Sequence, residues 1–97
     1  MAWIVDEPLG PDAARRLIRE ILRAGCFIYS RHARQELLAD DLTTVDCDNV
    51  LWGGVVGPGE FEHGTWRYRV ETSRIAIVVA FRSEYERVVV TAWRIGR

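Results

Sequence analysis

The chain reads as an α+β domain in which helices come first and an antiparallel sheet follows. Three observations carry this. Between positions 12 and 52, apolar residues recur at the three- and four-residue spacing of a helical stripe. After position 55 they alternate with period two. Gly53-Gly54 and Gly57-Pro58-Gly59 stand where the period changes. Ninety-seven residues hold one hydrophobic core. The expectation is a single domain over 1–97: an extended lead-in at 1–11, a helical part at 12–52 and a sheet at 55–95. Two to three N-terminal helices would pack on a three- to four-stranded antiparallel sheet.

The elements follow in order. Pro8, Gly10 and Pro11 keep the lead-in extended, with Trp3 and Ile4 available to pack on the body. A first helix runs to Ala24, with Leu17, Ile18, Ile21 and Leu22 on one stripe and Arg15, Arg16, Arg19 and Arg23 mostly on the other face. Asp12 suits its first turn and Gly25 its stop. Cys26-Phe27-Ile28-Tyr29 is a short apolar linker with strand character. Ser30 is an N-cap for a second helix buried through Ala33, Leu37 and Leu38, which Asp40-Asp41 ends. Thr43 or Thr44 caps a third helix that carries Val45, Val50, Leu51 and Trp52. Val55-Val56 starts a first strand. In 65–72, Trp66, Tyr68 and Val70 face one way and Arg67, Arg69 and Glu71 the other. Residues 74–82 are apolar on both faces, as in a central strand. Ser83-Glu84-Tyr85 turns the chain into a last strand, 87–95, in which Arg87, Val89, Thr91 and Trp93 would share a face.

Composition narrows the class. About half the residues are hydrophobic and about a quarter charged, the balance of a folded protein. No apolar run approaches the ~20 residues of a membrane helix, and the first ten residues carry Asp6 and Glu7 but no basic residue, unlike a secretory signal. The expected location is the cytoplasm, away from membranes. All thirteen basic residues are arginine. Residues 1–64 hold six arginines against eleven acids, and residues 65–97 hold seven against three. A basic C-terminal third on an acidic body suggests a surface for an anion or an acidic partner. Cys26 and Cys47 are too far apart for a CxxC motif and read as buried thiols. No Cys/His pair has the spacing of a zinc site, so neither metal nor cofactor is expected.

Tyr29-Ser30-Arg31-His32-Ala33-Arg34-Gln35-Glu36-Leu37 is the segment with the most chemistry. It sets one of two histidines between two arginines at a helix start. An imidazole can exchange a proton near neutral pH, and a guanidinium can grip a phosphate. The same residues also suit an ordinary capped helix, with His32 hydrogen-bonded to a neighbouring element and Arg31 or Arg34 paired with Glu36 or an aspartate. Arg67 and Arg69 form a candidate phosphate stripe, or else a solvated sheet face neutralised by Glu71. Arg82 and Arg94 end two adjacent antiparallel strands and so fall at opposite ends of the sheet. Thr91 could hydrogen-bond a phosphate oxygen, and Trp93 could stack on a base or fill the core. His63, in an acidic loop, reads as a solvent-exposed histidine. Gly53 to Gly59 lacks the ending of a nucleotide-binding loop.

The Ser-x-His-Ala helix start, the helix-then-meander order and the closing Val88-Val89-Val90-Thr91-Ala92-Trp93 run resemble a bacterial domain family related to the RelE-like and MqsR-like toxins. More broadly they resemble the ribonuclease superfamily of barnase, EndoU, colicins and RelE. The resemblance covers about residues 12–95. It implies a RelE-like fold and a site made of His32, Thr91 and Arg94, while Arg34, Arg67, Arg69 and Arg82 are substrate-binding candidates by their charge and placement in the sequence. It also implies an RNA substrate, with mRNA on the ribosome as one form of it, and a cognate antitoxin as partner. The expected function is then that of a type II toxin acting as a metal-independent RNA endonuclease. The alternative is a non-catalytic interaction module, or a degenerate toxin, that binds a partner through its sheet.

Overall fold

Pro11 opens helix α1 (Pro11–Ala24), where its fixed φ and missing N–H cost nothing, and Asp12 lies in the first turn. These elements come from a computed structural model that describes residues 9–81 and 87–96. The expectations for Trp3, Ile4, Arg82 and the turn at Ser83-Glu84-Tyr85 fall outside the described residues.

The remaining elements are β1 (Ile28–Tyr29), α2 (Arg31–Ala39), α3 (Thr44–Gly53), β2 (Val55–Val56), β3 (Glu60–Glu62), β4 (Thr65–Glu71), β5 (Ile75–Phe81) and β6 (Arg87–Arg94). Thr43 caps α3 through a capping box. Its hydroxyl accepts from the Asp46 N–H, and Asp46 accepts from the Thr43 backbone N–H at 2.9 Å. Those Thr43 bonds favour the charged carboxylate and hold Asp46 below the usual range. Helix α2 ends in a Schellman turn: Asp41 takes φ 53°, and the Leu42 N–H reaches back to the Leu37 carbonyl at 2.8 Å.

The sheet is α+β as expected but larger. It has six strands in the order β1-β6-β5-β4-β2, with β3 pairing β4 on the same side as β2. Two strands exceed the sequence expectation. Strand β1 joins the edge of β6 in parallel, pairing Ile28 with Val88 and Tyr29 with Val89. Strand β3 forms a hairpin with β4 through His63-Gly64, both at positive φ, and Phe61 packs edge-on against Trp66 at 5.2 Å. The three helices pack on the face that carries Tyr68, Val70, Ile77, Val79, Val89 and Ala92, and all six are buried in one cluster with Ile18, Ile21 and Leu51. Among the described residues no helix is long and apolar enough to cross a membrane.

Three sequence expectations are corrected here. Leu38 is 83% exposed, because α2 buries only Ala33 and Leu37. Cys26 is exposed while Cys47 is buried, and both are free thiols. Burial pushes the Cys47 thiol up to about 11, and burial also raises Tyr29, whose hydroxyl has the Cys47 thiol beside it. The third concerns β6. Val78 pairs with Thr91 but Val79 pairs with Val89, so Val90 is an extra residue, a β-bulge. The bulge breaks the alternation. Val89 points to the core, whereas Thr91 and Trp93 lie on the opposite face with Val88, Val78 and Ala76.

Gly54 ends α3 at a point of close approach to β4. A Cβ there would sit 2.7 Å from the Val50 carbonyl oxygen and 3.0 Å from that of Glu71, both backbone atoms. Gly54→Ala is therefore expected to cost about 1–3 kcal/mol, as overpacking does. Urea unfolding reads this directly, and an unchanged midpoint would refute the contact.

Candidate functional site

The bulge is where the candidate site is built. The Ser30 hydroxyl accepts from the Ala33 N–H at 3.0 Å, capping α2, and donates to the carbonyl of the bulged Val90 at 2.9 Å. One side chain thus ties the start of α2 to the irregularity in β6. Beyond β1, helix α2 runs beside β6 and takes the place of a further strand. The Arg94 backbone N–H, which a neighbouring strand would otherwise satisfy, donates to the Asp40 carboxylate at 2.8 Å.

Along this junction three polar side chains connect. His32 Nε2 lies 2.7 Å from Glu36 Oε1, one helical turn on. Thr91 Oγ1 donates to the same Glu36 oxygen at 3.1 Å. His32 and Thr91, both site candidates from sequence, are thereby joined through a carboxylate. The bond at Nε2 assigns that nitrogen as the donor in the neutral ring, which leaves Nδ1 as the acceptor. His32 is 67% exposed and Glu36 31% exposed, so the ring is open to solvent while its partner is half-buried.

The chain of contacts continues onto the outer face of the sheet. Thr91 pairs with Val78, which pairs with Arg69. Arg69, Val78 and Thr91 thus form one row across three strands, about 10 Å from end to end at ordinary strand spacing. The Arg69 guanidinium lies 4.8 Å from the centre of the Trp93 ring, and its Nε is 3.5 Å from Glu71. Arg67 stands on the same face. Its Nε is buried without a hydrogen-bond partner. Small residues, Ala76 and Ala80, form the floor between these groups. Among the described residues no helix covers this face.

The other candidates fall elsewhere. Arg34 is exposed, and its Nε reaches the Tyr29 carbonyl at 3.4 Å rather than Glu36. Arg94 closes the far end of α2: its Nε donates to the Asp40 carbonyl at 2.7 Å and its Nη2 to the Asp41 carbonyl at 3.1 Å. A cation at a helix C-terminus also meets the negative end of the helix dipole. Arg82 lies outside the described residues, and His63 occupies the exposed β3–β4 turn. Sequence reasoning passed over Glu36 as part of the chemistry. The His-x-x-x-Glu spacing was the available signal, since i,i+4 side chains meet on a helix.

Arg94→Ala is expected to destabilise the protein by about 1–3 kcal/mol, because its hydrogen bonds are charge-assisted and end two carbonyls. Hydrogen exchange should quicken at the end of α2 more than in α1. Uniform exchange across both helices would refute a local clamp.

Fold and site together define a small α+β protein with three helices on one face of an open sheet and a His–Glu–Thr chain at the sheet edge. No family model, curated protein or solved structure matches the chain.

Proposed function

We propose that the protein is a RelE/MqsR-like toxin that cleaves RNA by metal-independent acid–base chemistry, held in check by a cognate antitoxin. The His32–Glu36–Thr91 chain carries this reading. Metal-free cleavage requires a base for the 2′-hydroxyl and positive charge for the phosphorane. His32 Nδ1 is the free acceptor that takes the 2′-hydroxyl proton. Glu36 orients the ring and compensates the imidazolium that forms. The 2′-oxygen bonds to phosphorus, the bond from phosphorus to the 5′-oxygen breaks, and the departing oxygen takes a proton from water. Arg69 and Arg67 supply charge for the phosphate oxygens, and Arg94 positions α2.

The test uses purified protein, end-labelled single-stranded RNA and DNA of the same sequence at low salt. The reading requires RNA ends bearing a 2′,3′-cyclic phosphate, intact DNA, and loss of cleavage in His32→Ala. Intact RNA with the wild-type protein rejects it. A second reading, a non-catalytic module that pairs its sheet edge with a partner, is favoured by Val55 and Phe61, which are 67% and 60% exposed on the β2/β3 side. Absence of RNA binding at low salt, where phosphate contacts are strongest, selects it.

A further inference from the structure

Trp93 is a large aromatic residue of the sheet that stands outside the core under the helices. The buried cluster that includes Tyr68, Ile77 and Val89 lies under the helices, whereas the bulge at Val90 turns Trp93 onto the opposite face. There its register partner is Ala76, and Val78 lies two residues on along β5 on the same face. Its other neighbour is the Arg69 guanidinium, 4.8 Å from the ring centre. Arg69 is half-exposed and its contact with Glu71, at 3.5 Å, is long, so the guanidinium is not locked over the ring. A cation–π contact at an exposed site is weak enough for another flat group to displace.

The position relative to His32 matters equally. Trp93 is two residues from Thr91 on the same strand and the same face, about 7 Å along β6. Thr91 is hydrogen-bonded to Glu36, and Glu36 to His32. A base laid on Trp93 therefore sits beside Thr91, the near end of the acid–base chain, and Arg69 can swing from the ring to the adjoining phosphate.

We infer that Trp93 is a nucleobase-stacking platform that selects unpaired, single-stranded RNA for the His32 chain, with the Arg69 guanidinium as its resting cover. The inference rests on the RNA-cleavage reading and names the substrate class of that site. A base in a duplex has both faces stacked on its neighbours, so only an unpaired base can be splayed onto an indole.

The probe is a short 2′-O-methyl oligoadenosine strand, which has no free 2′-hydroxyl to attack, compared with the same strand without bases and with its duplex form. The readouts are tryptophan emission and binding at low salt. The base-bearing single strand should quench emission and bind at least about tenfold more tightly than the base-free strand, a ratio equal to roughly 1.4 kcal/mol and at the low end of base–aromatic stacking. Trp93→Leu should lose most of that ratio and Trp93→Phe should keep it. Equal binding of the two strands by the wild-type protein overturns the inference without recourse to any variant. So does tighter binding of the duplex, or an undiminished ratio in a folded Trp93→Leu protein. Cleavage of unmodified RNA is followed in the same preparation. Base-dependent binding without cleavage supports the platform and removes the nuclease reading. Cleavage with base-independent binding does the reverse.

Discussion

Replacing His32 with alanine is expected to lower RNA cleavage by about 10²–10⁴-fold, the factor that a positioned acid–base group contributes. The fold should hardly notice. The imidazole is 67% exposed, and its partner is the Glu36 carboxylate, so the change in stability should stay within the ~0–1 kcal/mol of a surface pair. This separation makes the experiment decisive. Activity and urea midpoint are measured on the same preparation, and growth arrest on expression is scored in parallel. If arrest and cleavage persist in a folded His32→Ala protein, His32 is a helix residue with a satisfied hydrogen bond and nothing more. Glu36→Gln keeps the shape but removes the charge that would balance an imidazolium, and it should fall on the same side as His32→Ala.

Replacing Tyr68 with alanine should have the largest effect on stability, about 3–5 kcal/mol, the usual cost of removing a buried aromatic ring. Tyr68 is fully buried at the centre of β4, with Phe81 5.6 Å away between ring centres. Its hydroxyl accepts the Leu9 N–H at 2.7 Å. Gly59 lies so close that a Cβ there would be 2.8 Å from Tyr68 Cε2. Small domains hold about 5–15 kcal/mol in total, so the variant should lie near or beyond half-unfolded at moderate urea. Tyr68→Phe keeps the ring and costs about 1 kcal/mol, since only one hydrogen bond is lost. Near-equal midpoints for the two variants would show that the ring does not organise the core.

Much of this architecture is legible in the order of residues. Leu17, Ile18 and Ile21 announce α1, Ser30 and Thr43 cap α2 and α3, and the alternation through Trp66, Tyr68 and Val70 identifies both β4 and its buried face. These signals are local, because helical stripes, caps and strand alternation are properties of a few neighbouring residues. Strand β1 was harder to read: two residues become a strand only because β6 offers a free edge. Strand β3 had a local signal, the His63-Gly64 turn between Phe61 and Trp66, but its acidic, wholly exposed residues resembled a loop.

The site divides in the same way. The residue types at His32 and Thr91, and the basic bias of the last third, are given by the chain alone. So is the i,i+4 relation of His32 to Glu36, which any α-helix enforces. What the tertiary structure decided is the meeting of α2 with β6. Thr91 reaches Glu36, Arg94 clamps the end of α2, and Trp93 turns to the face opposite the helices with Arg69. All three depend on the bulge at Val90, which arises from the pairing of β6 with β5 and is anchored by the Ser30 hydroxyl. A one-residue offset in a strand reverses the face of every side chain beyond it. Period two could therefore identify the last strand, but only its partners could say which of its residues face the core.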